Sequence, residues 1–216
     1  ALAERHNLLI FSDEIYDEMT YEDAEFVPMA TLVDGAVCVT FSGLSKVYRA
    51  CGYRVGWATV SGDIERAEDY LNALELLASL RLCSNVPAQW AVQTALGGYQ
   101  SIHELVAPGG RLFETRRAII DGVAASPYLR VVEPAGSMYA FVGVDRQALP
   151  DFDDNRFAFD LLDQKHVLVA PGVSFNVPYN NYFRITLLPD ATQINDVFDR
   201  IGELLDAYAV ANLEKK

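Results

Sequence analysis

Two nearly unbroken apolar runs, Leu8–Phe11 and Val37–Phe41, stand near the start of the chain. Such runs are typical of strands that are buried on both faces of a parallel sheet. About 25 residues separate them, which is enough for the crossover connection that parallel neighbours require. A third run, Arg54–Val60, follows after only about a dozen residues, too few for a helical crossover. It is therefore predicted to run antiparallel to the second strand.

After the third run, the apolar positions change to helical spacing. Apolar residues recur every three to four positions through Asp63–Leu82. A second helix is predicted over Asn85–Leu96, because Pro87 suits the first turn of a helix and two glycines follow the last position. The sequence Pro108-Gly109-Gly110 breaks the pattern again, and a long helix is predicted over Arg111–Ala125.

Beyond residue 125 the order of elements changes. The pattern predicts strand Leu129–Val132, strand Ser137–Val144, helix Arg156–His166, strand Val167–Ala170, strand Phe183–Leu188 and helix Ala191–Leu213. This is an α+β arrangement, whereas the first half has the pattern of an α/β sheet. We predict that residues 1–107 are part of a larger α/β domain and that residues 108–216 form a smaller C-terminal domain.

The composition excludes some classes of function. Of the 216 residues, 51% are hydrophobic, and 17 Lys and Arg against 30 Asp and Glu give a net charge of −13. Nucleic acids and anionic membranes both require a basic surface, so neither is an expected partner. The three cysteines lack CxxC spacing and the three histidines are scattered, which predicts reduced thiols in a cytoplasmic protein and no metal site.

The apolar runs and the first residues bear on location and completeness. No apolar run approaches the roughly 18 residues of a membrane span, and no signal peptide is recognisable. The first residues, ALAERHNLLIF, have the pattern of a helix end that leads directly into a strand. We therefore expect the chain to be a fragment that begins inside a domain.

Candidate chemistry gathers where the predicted strands end. The carboxyl ends of the first two strands and the amino end of the third should meet at one edge of the sheet, where ligands bind in open α/β folds. Asp13, Tyr16, Lys46 and Arg54 all lie at that edge. A carboxylate directly after a buried strand is costly without a partner, and a guanidinium within an apolar segment needs an anion such as phosphate.

Lys46 has the most specific setting of these residues. A lysine in the middle of a chain is ordinarily an exposed surface residue. Here the small residues Ser42, Gly43 and Ser45 precede it and leave room for a ligand close to the backbone. A partly desolvated amine in such a place is suited to act as a Schiff-base nucleophile.

The motifs SDEIY and SGLSKVYRACGYRVG are similar to the signature of class I and II aminotransferases, the fold-type I enzymes that depend on pyridoxal 5′-phosphate. The later segments NVPAQWAVQTALGG, PGVSFN and NYFRITLLP also resemble segments of that family, so the resemblance covers essentially the whole chain. Within the family, the tract containing LCSNVPAQ, ALGGYQSI and PGGRL is most similar to bacterial alanine aminotransferases. The resemblance implies part of a large mixed-sheet domain that binds the cofactor, followed by a smaller α+β domain.

The resemblance implies a catalytic role for three residues at the sheet edge. Lys46 would bind the aldehyde of the cofactor and then move a proton between the substrate Cα and the cofactor C4′. Asp13 would pair with the pyridinium nitrogen and keep it protonated, so that the ring can accept electrons. Tyr16 would donate a hydrogen bond to the O3′ atom of the cofactor.

Four further residues would bind the anionic groups of cofactor and substrate. The resemblance implies that Arg54 holds the phosphate, with the hydroxyls of Ser42 and Ser45 as weaker helpers. It also implies that Arg184, in the segment FRITLL, clamps the α-carboxylate of the substrate through a bidentate pair. Without the resemblance, an arginine in a surface salt bridge would be the simpler interpretation of Arg184.

Two positions depart from the pattern of the family. Gly43 stands three residues before the lysine, where the family often has a phosphate-binding serine, and Arg49 stands three residues after it, where a small residue is usual. The resemblance also implies an upstream part with a glycine-containing phosphate loop, an aromatic ring that stacks on the pyridine and an asparagine near O3′. We therefore expect this chain alone to bind the cofactor weakly and to turn over little or nothing.

The predicted function is transfer of an amino group between an L-amino acid, with alanine as the expected donor, and 2-oxoglutarate. A β-lyase on the same fold and an aminotransferase-like sensor domain of a transcription regulator are the alternatives, and an α/β module without this chemistry is a further one. A homodimer is expected for the complete protein, because the sites of the family lie at a dimer interface. The sequence leaves open the preferred amino donor and the hydroxyls that contact the phosphate.

Overall fold

The three apolar runs at the start of the chain form a mixed sheet in the computed structural model, which describes residues 1–213. Strands β1 (Ile10–Asp13) and β2 (Val37–Gly43) are parallel, and β3 (Gly56–Gly62) is antiparallel to β2. These are the directions that the lengths of the connections predict. The strand order is β1-β2-β3, so β2 is central, and its Val39 is fully buried.

Two of the helices in the first half of the chain have little buried surface. The helices are α1 (Leu2–Arg5), α2 (Glu68–Ser79), α3 (Val86–Gly97) and α4 (Ile102–Val106). α2 contains no buried residue, and Ala88 is the buried residue of α3. Large apolar side chains of these two helices and of the segment between them are exposed: Leu74, Leu76, Leu77, Leu80, Leu82, Val86, Trp90 and Leu96. The described residues therefore leave the apolar faces of α2 and α3 largely uncovered.

The second half of the chain contains a four-stranded antiparallel sheet. Its strands are β4 (Leu129–Val131), β5 (Tyr139–Val144), β6 (Ala170–Pro171) and β7 (Tyr182–Thr186), in the order β4-β5-β7-β6. Successive side chains of a strand point to opposite faces of the sheet. One face is apolar and buried, and the other carries larger, partly exposed groups: Tyr139, Phe141, Tyr182 and Arg184.

Three helices accompany this second sheet: α5 (Arg111–Ala125), α6 (Asp154–Lys165) and α7 (Ala191–Leu213). α5 and α6 contact the strands, and α7 packs against both of these helices. Each places fully buried apolar side chains in the core, among them Ile119, Phe157 and Ile201. α5 and α7 approach closely at Gly122, where an added Cβ would lie 2.6 Å from Cγ of Phe198. The predicted bounds of α5 and α7 agree with the structure, because both helices have long, regular apolar stripes.

The predicted strand Val167–Ala170 is wrong for most of its length. His166 ends α6 in the left-handed conformation, with φ of 56°, and the N–H of Val167 donates to the carbonyl of Leu161 at 3.2 Å. This pattern belongs to a helix C-terminus and not to a strand. Only the last residue of the predicted run pairs with β7. Alternating apolar residues can therefore be buried without forming a strand ladder.

The described residues form two compact units. The first unit ends at His103 and contains β1, β2 and β3, and the second begins at Glu104 and contains the antiparallel sheet. The assignment of residues 1–107 to a large cofactor-binding domain and of residues 108–216 to a small domain remains a prediction.

Candidate active site

Three strand ends meet at one edge of the first sheet. The last residue of β1, Asp13, lies beside Phe41 of β2, and the amide of Glu14 donates to the carbonyl of Phe41 at 2.9 Å. The first residue of β3, Gly56, lies beside Gly43, the last residue of β2. The segments that carry Asp13, Tyr16, Lys46 and Arg54 therefore all leave the sheet at the same edge, as the predicted topology requires.

Lys46 lies in a tight turn directly after β2. Two backbone hydrogen bonds close this turn, from the amide of Arg49 to the carbonyl of Lys46 at 3.0 Å and from the amide of Ala50 to the carbonyl of Leu44 at 2.9 Å. The side chains of Leu44 and Val47 are buried in the first unit and anchor the turn there. The side chain of Lys46 is partly buried, and its Nζ lies 6.0 Å from the centroid of the Tyr16 ring. The structure thus brings the predicted amine and phenol together.

Tyr16 belongs to a loop after β1 whose position is fixed by hydrogen bonds to the neighbouring Glu14. Glu14 is buried, and its Oε1 accepts hydrogen bonds from the hydroxyl of Ser12 at 2.9 Å and from the amide of Met29 at 2.8 Å. The amide of Met19 donates to the carbonyl of Tyr16 at 2.9 Å, and the Met19 side chain is buried. These contacts fix the position of the phenol relative to the edge of the sheet.

Gly43 has a structural reason to depart from the serine that is common in the family. An added Cβ at Gly43 would lie 2.8 Å from the carbonyl oxygen of Val55, and one at Gly56 would lie 2.9 Å from that of Ser42. Side-chain carbon atoms essentially never approach a backbone oxygen so closely. The two strands therefore meet at this edge through paired glycines, which leaves the hydroxyls of Ser42 and Ser45 as the ones beside Lys46.

Asp13 and Arg54 are more exposed than the sequence predicts. The carboxylate of Asp13 accepts from the amide of Ile15 at 3.3 Å and faces solvent, because β1 is an edge strand among the described residues. Arg54 is exposed in the left-handed conformation, with φ of 53°, and its Nη1 donates to the carbonyl of Cys51 at 2.8 Å. The expectation of a guanidinium embedded in an apolar segment is wrong, because the turn before β3 lies on the surface.

The remaining polar groups near Lys46 differ in their contacts. Ser42 and Ser45 are partly buried, and within the described chain their hydroxyls form no hydrogen bond. Arg49, the second departure from the family pattern, is exposed with φ of 55° and donates through Nη2 to the hydroxyl of Ser101. Arg49 therefore has a partner within its own unit, while the two serine hydroxyls retain their capacity to bind an anion.

The acidic loop after Tyr16 is packed and not merely solvated. Burial raises the pKa of Asp17, and the negative charge of Glu18 adds to the rise. Burial also raises the pKa of the Tyr48 phenol, with smaller contributions from the charges of Asp17 and Glu18. Glu18 lies 2.7 Å from Nε2 of His103. This loop is held in place beside the turn that carries Lys46.

Arg184 lies on the partly exposed face of the second sheet. Its Cζ is 4.3 Å from the centroid of the Tyr139 ring and 4.5 Å from that of the Phe175 ring. Within residues 1–213, none of the carboxylates forms an ion pair with it. The surface salt bridge that would otherwise explain this arginine is therefore missing from the described chain.

The two rings beside Arg184 were not identified from the sequence. Phe175 lies in the segment PGVSFN, in the turn before β7, and Tyr139 is the first residue of β5. The alternation of side chains along a strand could have indicated the tyrosine, because residues 139, 141 and 143 share the face of the sheet that carries Arg184. No periodic pattern indicates Phe175, because the backbone there forms a single turn of 3-10 helix.

Other kinds of site find no support among residues 1–213. No group of three or more His, Cys, Asp or Glu side chains in that range could hold a metal ion. The cysteines at positions 38, 51 and 83 are all free thiols. No helix of the described chain is both long and apolar enough to cross a membrane.

Comparison with known sequences gives one family and a consistent group of relatives. The family described as aminotransferase class I and II matches residues 1–201. Glutamate-pyruvate aminotransferase AlaA of Escherichia coli is 44% identical over 207 residues, which are 96% of this chain and 51% of that protein. Alanine aminotransferase of Mycobacterium tuberculosis is 42% identical over 96% of this chain and 48% of its own length. The chain thus spans about half the length of the curated relatives it matches.

Solved structures support the same grouping. A crystal structure of an aminotransferase from Escherichia coli matches with a TM-score of 0.92 at 43% identity, over 96% of this chain and 52% of that one. Alanine aminotransferase from Pyrococcus furiosus matches with a TM-score of 0.87 at 30% identity, over 95% and 51% of the two chains. The predicted fold class, part of a fold-type I transferase with a mixed sheet, is confirmed.

Proposed function

Because the chain belongs to the class I and II aminotransferases, a family that depends on pyridoxal 5′-phosphate, we propose that its protein transfers an amino group between an L-amino acid and 2-oxoglutarate. The relatives named glutamate-pyruvate aminotransferase and alanine aminotransferase support alanine as the amino donor. The chain spans about half of those relatives, so the activity is proposed for the whole protein.

One observation carries the proposal: a partly buried lysine amine lies at the edge where β1 and β2 end, 6.0 Å from a tyrosine ring. The groups at this edge fit the cofactor in their chemistry. The amine of Lys46 matches its aldehyde, the carboxylate of Asp13 its ring nitrogen and the phenol of Tyr16 its ring oxygen. When bound, the cofactor supplies an electrophilic aldehyde and a ring that accepts electrons.

Each residue at the edge then has a defined task. The amine of Lys46 would hold the aldehyde and, once released, would act as the base that takes the proton from the substrate Cα. The carboxylate of Asp13 would orient the ring through its nitrogen and keep that nitrogen protonated. The phenol of Tyr16 would donate a hydrogen bond to the ring oxygen.

The cofactor phosphate would be bound by side chains that have unused hydrogen-bond donors. Arg54 uses one N–H for the carbonyl of Cys51, and its remaining N–H groups are available for the cofactor phosphate. The hydroxyls of Ser42 and Ser45 supply two weaker donors. Charge-assisted hydrogen bonds from a guanidinium are roughly twice as strong as neutral ones, so Arg54 is the main phosphate ligand.

Arg184 is suited to hold the α-carboxylate of the substrate. The rings of Tyr139 and Phe175 lie over the guanidinium within 4.5 Å and restrict its orientation. Among the described residues, no carboxylate pairs with Arg184, so its N–H donors are available for a bidentate pair with the carboxylate of the substrate.

Covalent labelling of Lys46 tests the proposed cofactor site. Pyridoxal 5′-phosphate is added to the whole protein, the adduct is reduced with borohydride, and the labelled peptide is identified by mass spectrometry. We expect a secondary amine on Lys46 and no label in a Lys46→Arg variant. Lys165 is the internal control, because its Nζ is paired with Glu203 at 2.6 Å. Label on Lys165, or spread evenly over the lysines, would contradict the assignment.

The reaction itself is tested by the dependence of oxo-acid formation on the amino acceptor. We expect pyruvate to form from alanine only when 2-oxoglutarate is present, with one glutamate formed for each pyruvate. Oxo-acid formation that does not need an acceptor would favour a β-lyase. Labelling of Lys46 without turnover of any amino acid would favour a sensor domain.

The proposal also covers the partners, the location and the oligomeric state of the whole protein. We assign small amino and 2-oxo acids as its partners, with neither nucleic acid nor membrane, because the chain carries a net charge of −13. The three free cysteines support the cytoplasm as its location. A homodimer is expected for the whole protein, and the uncovered apolar faces of α2 and α3 support burial of this surface in a larger assembly. The chain by itself is expected to bind cofactor weakly.

A further inference from the structure

Asp154 is a fully buried carboxylate in the second unit. It is the first residue of α6, and its relative exposure is 0%. Its Oδ2 accepts a hydrogen bond from the amide of Val173 at 2.9 Å, while Oδ1 is buried without a hydrogen-bond partner in the described chain. A half-satisfied buried carboxylate lowers stability compared with an apolar side chain of similar size, so its presence needs another explanation.

Capping of α6 does not explain Asp154. The neighbouring Asp153 is the N-cap residue, and its Oδ1 accepts from the amide of Arg156 at 2.9 Å. The other oxygen of Asp153 accepts from Nδ2 of Asn180 at 2.9 Å. Because Asp153 satisfies the start of the helix, the carboxylate of Asp154 is left to bind the turn that contains Val173.

The turn bound by Asp154 carries one of the two rings beside Arg184. Val173 and Phe175 belong to the same 3-10 turn, Gly172–Phe175, and the ring centroid of Phe175 is 4.5 Å from Cζ of Arg184. Gly172 seats the turn tightly, since an added Cβ would lie 2.8 Å from the carbonyl of Tyr182 and 3.1 Å from Oδ2 of Asp154. A shift of this turn would therefore move the ring away from the guanidinium.

We propose that Asp154 is a positioning residue for substrate carboxylate binding: it fixes Phe175 through the amide of Val173, and Phe175 fixes the guanidinium of Arg184. The catalytic consequence rests on the proposed function, whereas the mechanical link does not. A guanidinium whose orientation is set before binding loses less freedom when it pairs with a carboxylate. Loss of the link should therefore weaken binding of the amino acid and the oxo acid more than it slows the chemical step.

The mechanical link is tested by NMR of the arginine side chains in the whole protein. Aromatic rings close to a guanidinium shift its Nε–H resonance, and an Arg184→Lys variant identifies that resonance. A Phe175→Leu variant gives the position of the signal when the ring is lost. We expect Asp154→Leu, which keeps the branching at Cγ but cannot accept a hydrogen bond, to move the signal towards the Phe175→Leu position. Asp154→Asn keeps an acceptor and should retain the wild-type position.

Asp153→Ala is the matched control, because it removes a helix cap at the adjacent position. It should lower the melting temperature and leave the Arg184 resonance in place. A wild-type resonance in Asp154→Leu would overturn the proposal. If that variant does not fold, hydrogen exchange of the Val173 amide in the wild type decides: a protected amide supports the link, and one that exchanges at the rate of an exposed amide refutes it.

Kinetics test the consequence for the reaction. We expect KM of Asp154→Leu to rise about tenfold for both substrates, with kcat within about twofold of wild type, since uniform binding is lost. Asp154→Asn should restore KM. Equal losses in kcat and kcat/KM would place the effect on the chemical step and contradict positioning for binding. If the wild type transfers no amino group, the proposed function fails, but the NMR result still decides whether Asp154 positions Phe175 and Arg184.

Discussion

The two units of the chain differ in how much of their apolar surface their own residues cover. In the second unit, α5, α6 and α7 each contribute fully buried side chains to a core that includes the antiparallel sheet. In the first unit, α2 has no buried residue, and Trp90 of α3 is 75% exposed. The sequence predicts helices in both halves. It therefore indicates where a helix forms, but not which other residues bury the apolar face of that helix.

The candidate chemistry differs between the units in the same way. In the second unit, Cζ of Arg184 lies within 4.5 Å of the centroids of two aromatic rings, those of Tyr139 and Phe175. In the first unit, Lys46 lies in a closed turn, but Asp13 and Arg54 are exposed. Arg184 is thus preorganised by its own unit, whereas Lys46, Asp13 and Arg54 are only partly enclosed by theirs.

The largest expected effect comes from the core of the second unit. Phe157 is fully buried, and its ring centroid lies 5.2 Å from that of Phe152 and 5.1 Å from that of Phe183. Phe157→Ala should lower the free energy of unfolding by about 3–5 kcal/mol, because it removes buried apolar surface and leaves a cavity. Chemical denaturation followed by circular dichroism measures this loss.

Two exposed aromatic residues serve as controls for Phe157→Ala. Phe159 lies on the same helix and is 68% exposed, so Phe159→Ala should change the free energy of unfolding by no more than about 0.5 kcal/mol. In the chain by itself, Trp90→Ala should have the same small effect, because the described residues leave the face of α3 uncovered. In the whole protein, where we propose that this face is buried, Trp90→Ala should cost more. A loss of several kcal/mol in the chain by itself would contradict the contrast between the units.

The next effect concerns the glycine contact at the sheet edge that carries Lys46. Gly43→Ala places a Cβ 2.8 Å from the carbonyl of Val55, and a backbone atom cannot move aside as a flexible side chain can. We expect a loss of about 1–3 kcal/mol in unfolding free energy and weaker labelling of Lys46 by cofactor, because the turn after β2 must shift. Gly52→Ala is the control, since nothing lies within 4 Å of its added Cβ. Equal effects of the two variants would contradict the steric argument.

Sequence reasoning predicted the parts of the fold that depend on periodicity and connection length. The directions of β1, β2 and β3 followed from the lengths of their connections, and the bounds of α5 followed from its apolar stripe and the breaks at its ends. The family was predicted from two motifs and is confirmed by the match over residues 1–201. These features depend on neighbours in sequence or on a motif that spans few residues.

Features that depend on packing at a distance could not be predicted in the same way. The run at residues 167–169 alternates as a strand does, but the left-handed cap at His166 binds it to the end of α6. The exposure of Asp13 and Arg54 depends on which strands flank the sheet, and no local pattern records that. The contact of Phe175 with Arg184 joins a turn to a strand nine residues later, and the amide of Val173 in that turn donates to Asp154.

Asp153 of the second unit gives a smaller, pH-dependent effect. The hydrogen bond from the amide of Arg156, and then that from Asn180, hold the pKa of Asp153 below its ordinary value. The pKa of Asp153 is therefore lower in the folded than in the unfolded state. The ionised carboxylate of Asp153 thus stabilises the fold above a pH of about 3.9, the ordinary pKa, and this stabilisation is lost as pH falls through the folded-state pKa. Asp153→Ala should cost about 1 kcal/mol at neutral pH through loss of the cap, and the difference from wild type should shrink in acid. A difference that stays constant between pH 7 and pH 3 would contradict the linkage.

The smallest effect has the opposite sign and lies in the first unit. Burial raises the pKa of Asp17, so its charged form opposes folding, and this destabilisation develops as pH rises from about 3.9 through the folded-state pKa. Asp17→Asn keeps an acceptor for the amide of Glu18, which Oδ1 binds at 3.0 Å, and removes the charge. The variant should therefore be more stable than wild type at neutral pH and equal to it in acid. The gain should be well below about 1 kcal/mol, because the group is partly exposed and screened. Thermal melts between pH 4 and pH 8 measure it, and a variant that is less stable at pH 7 would show that the carboxylate has a stabilising partner in the whole protein.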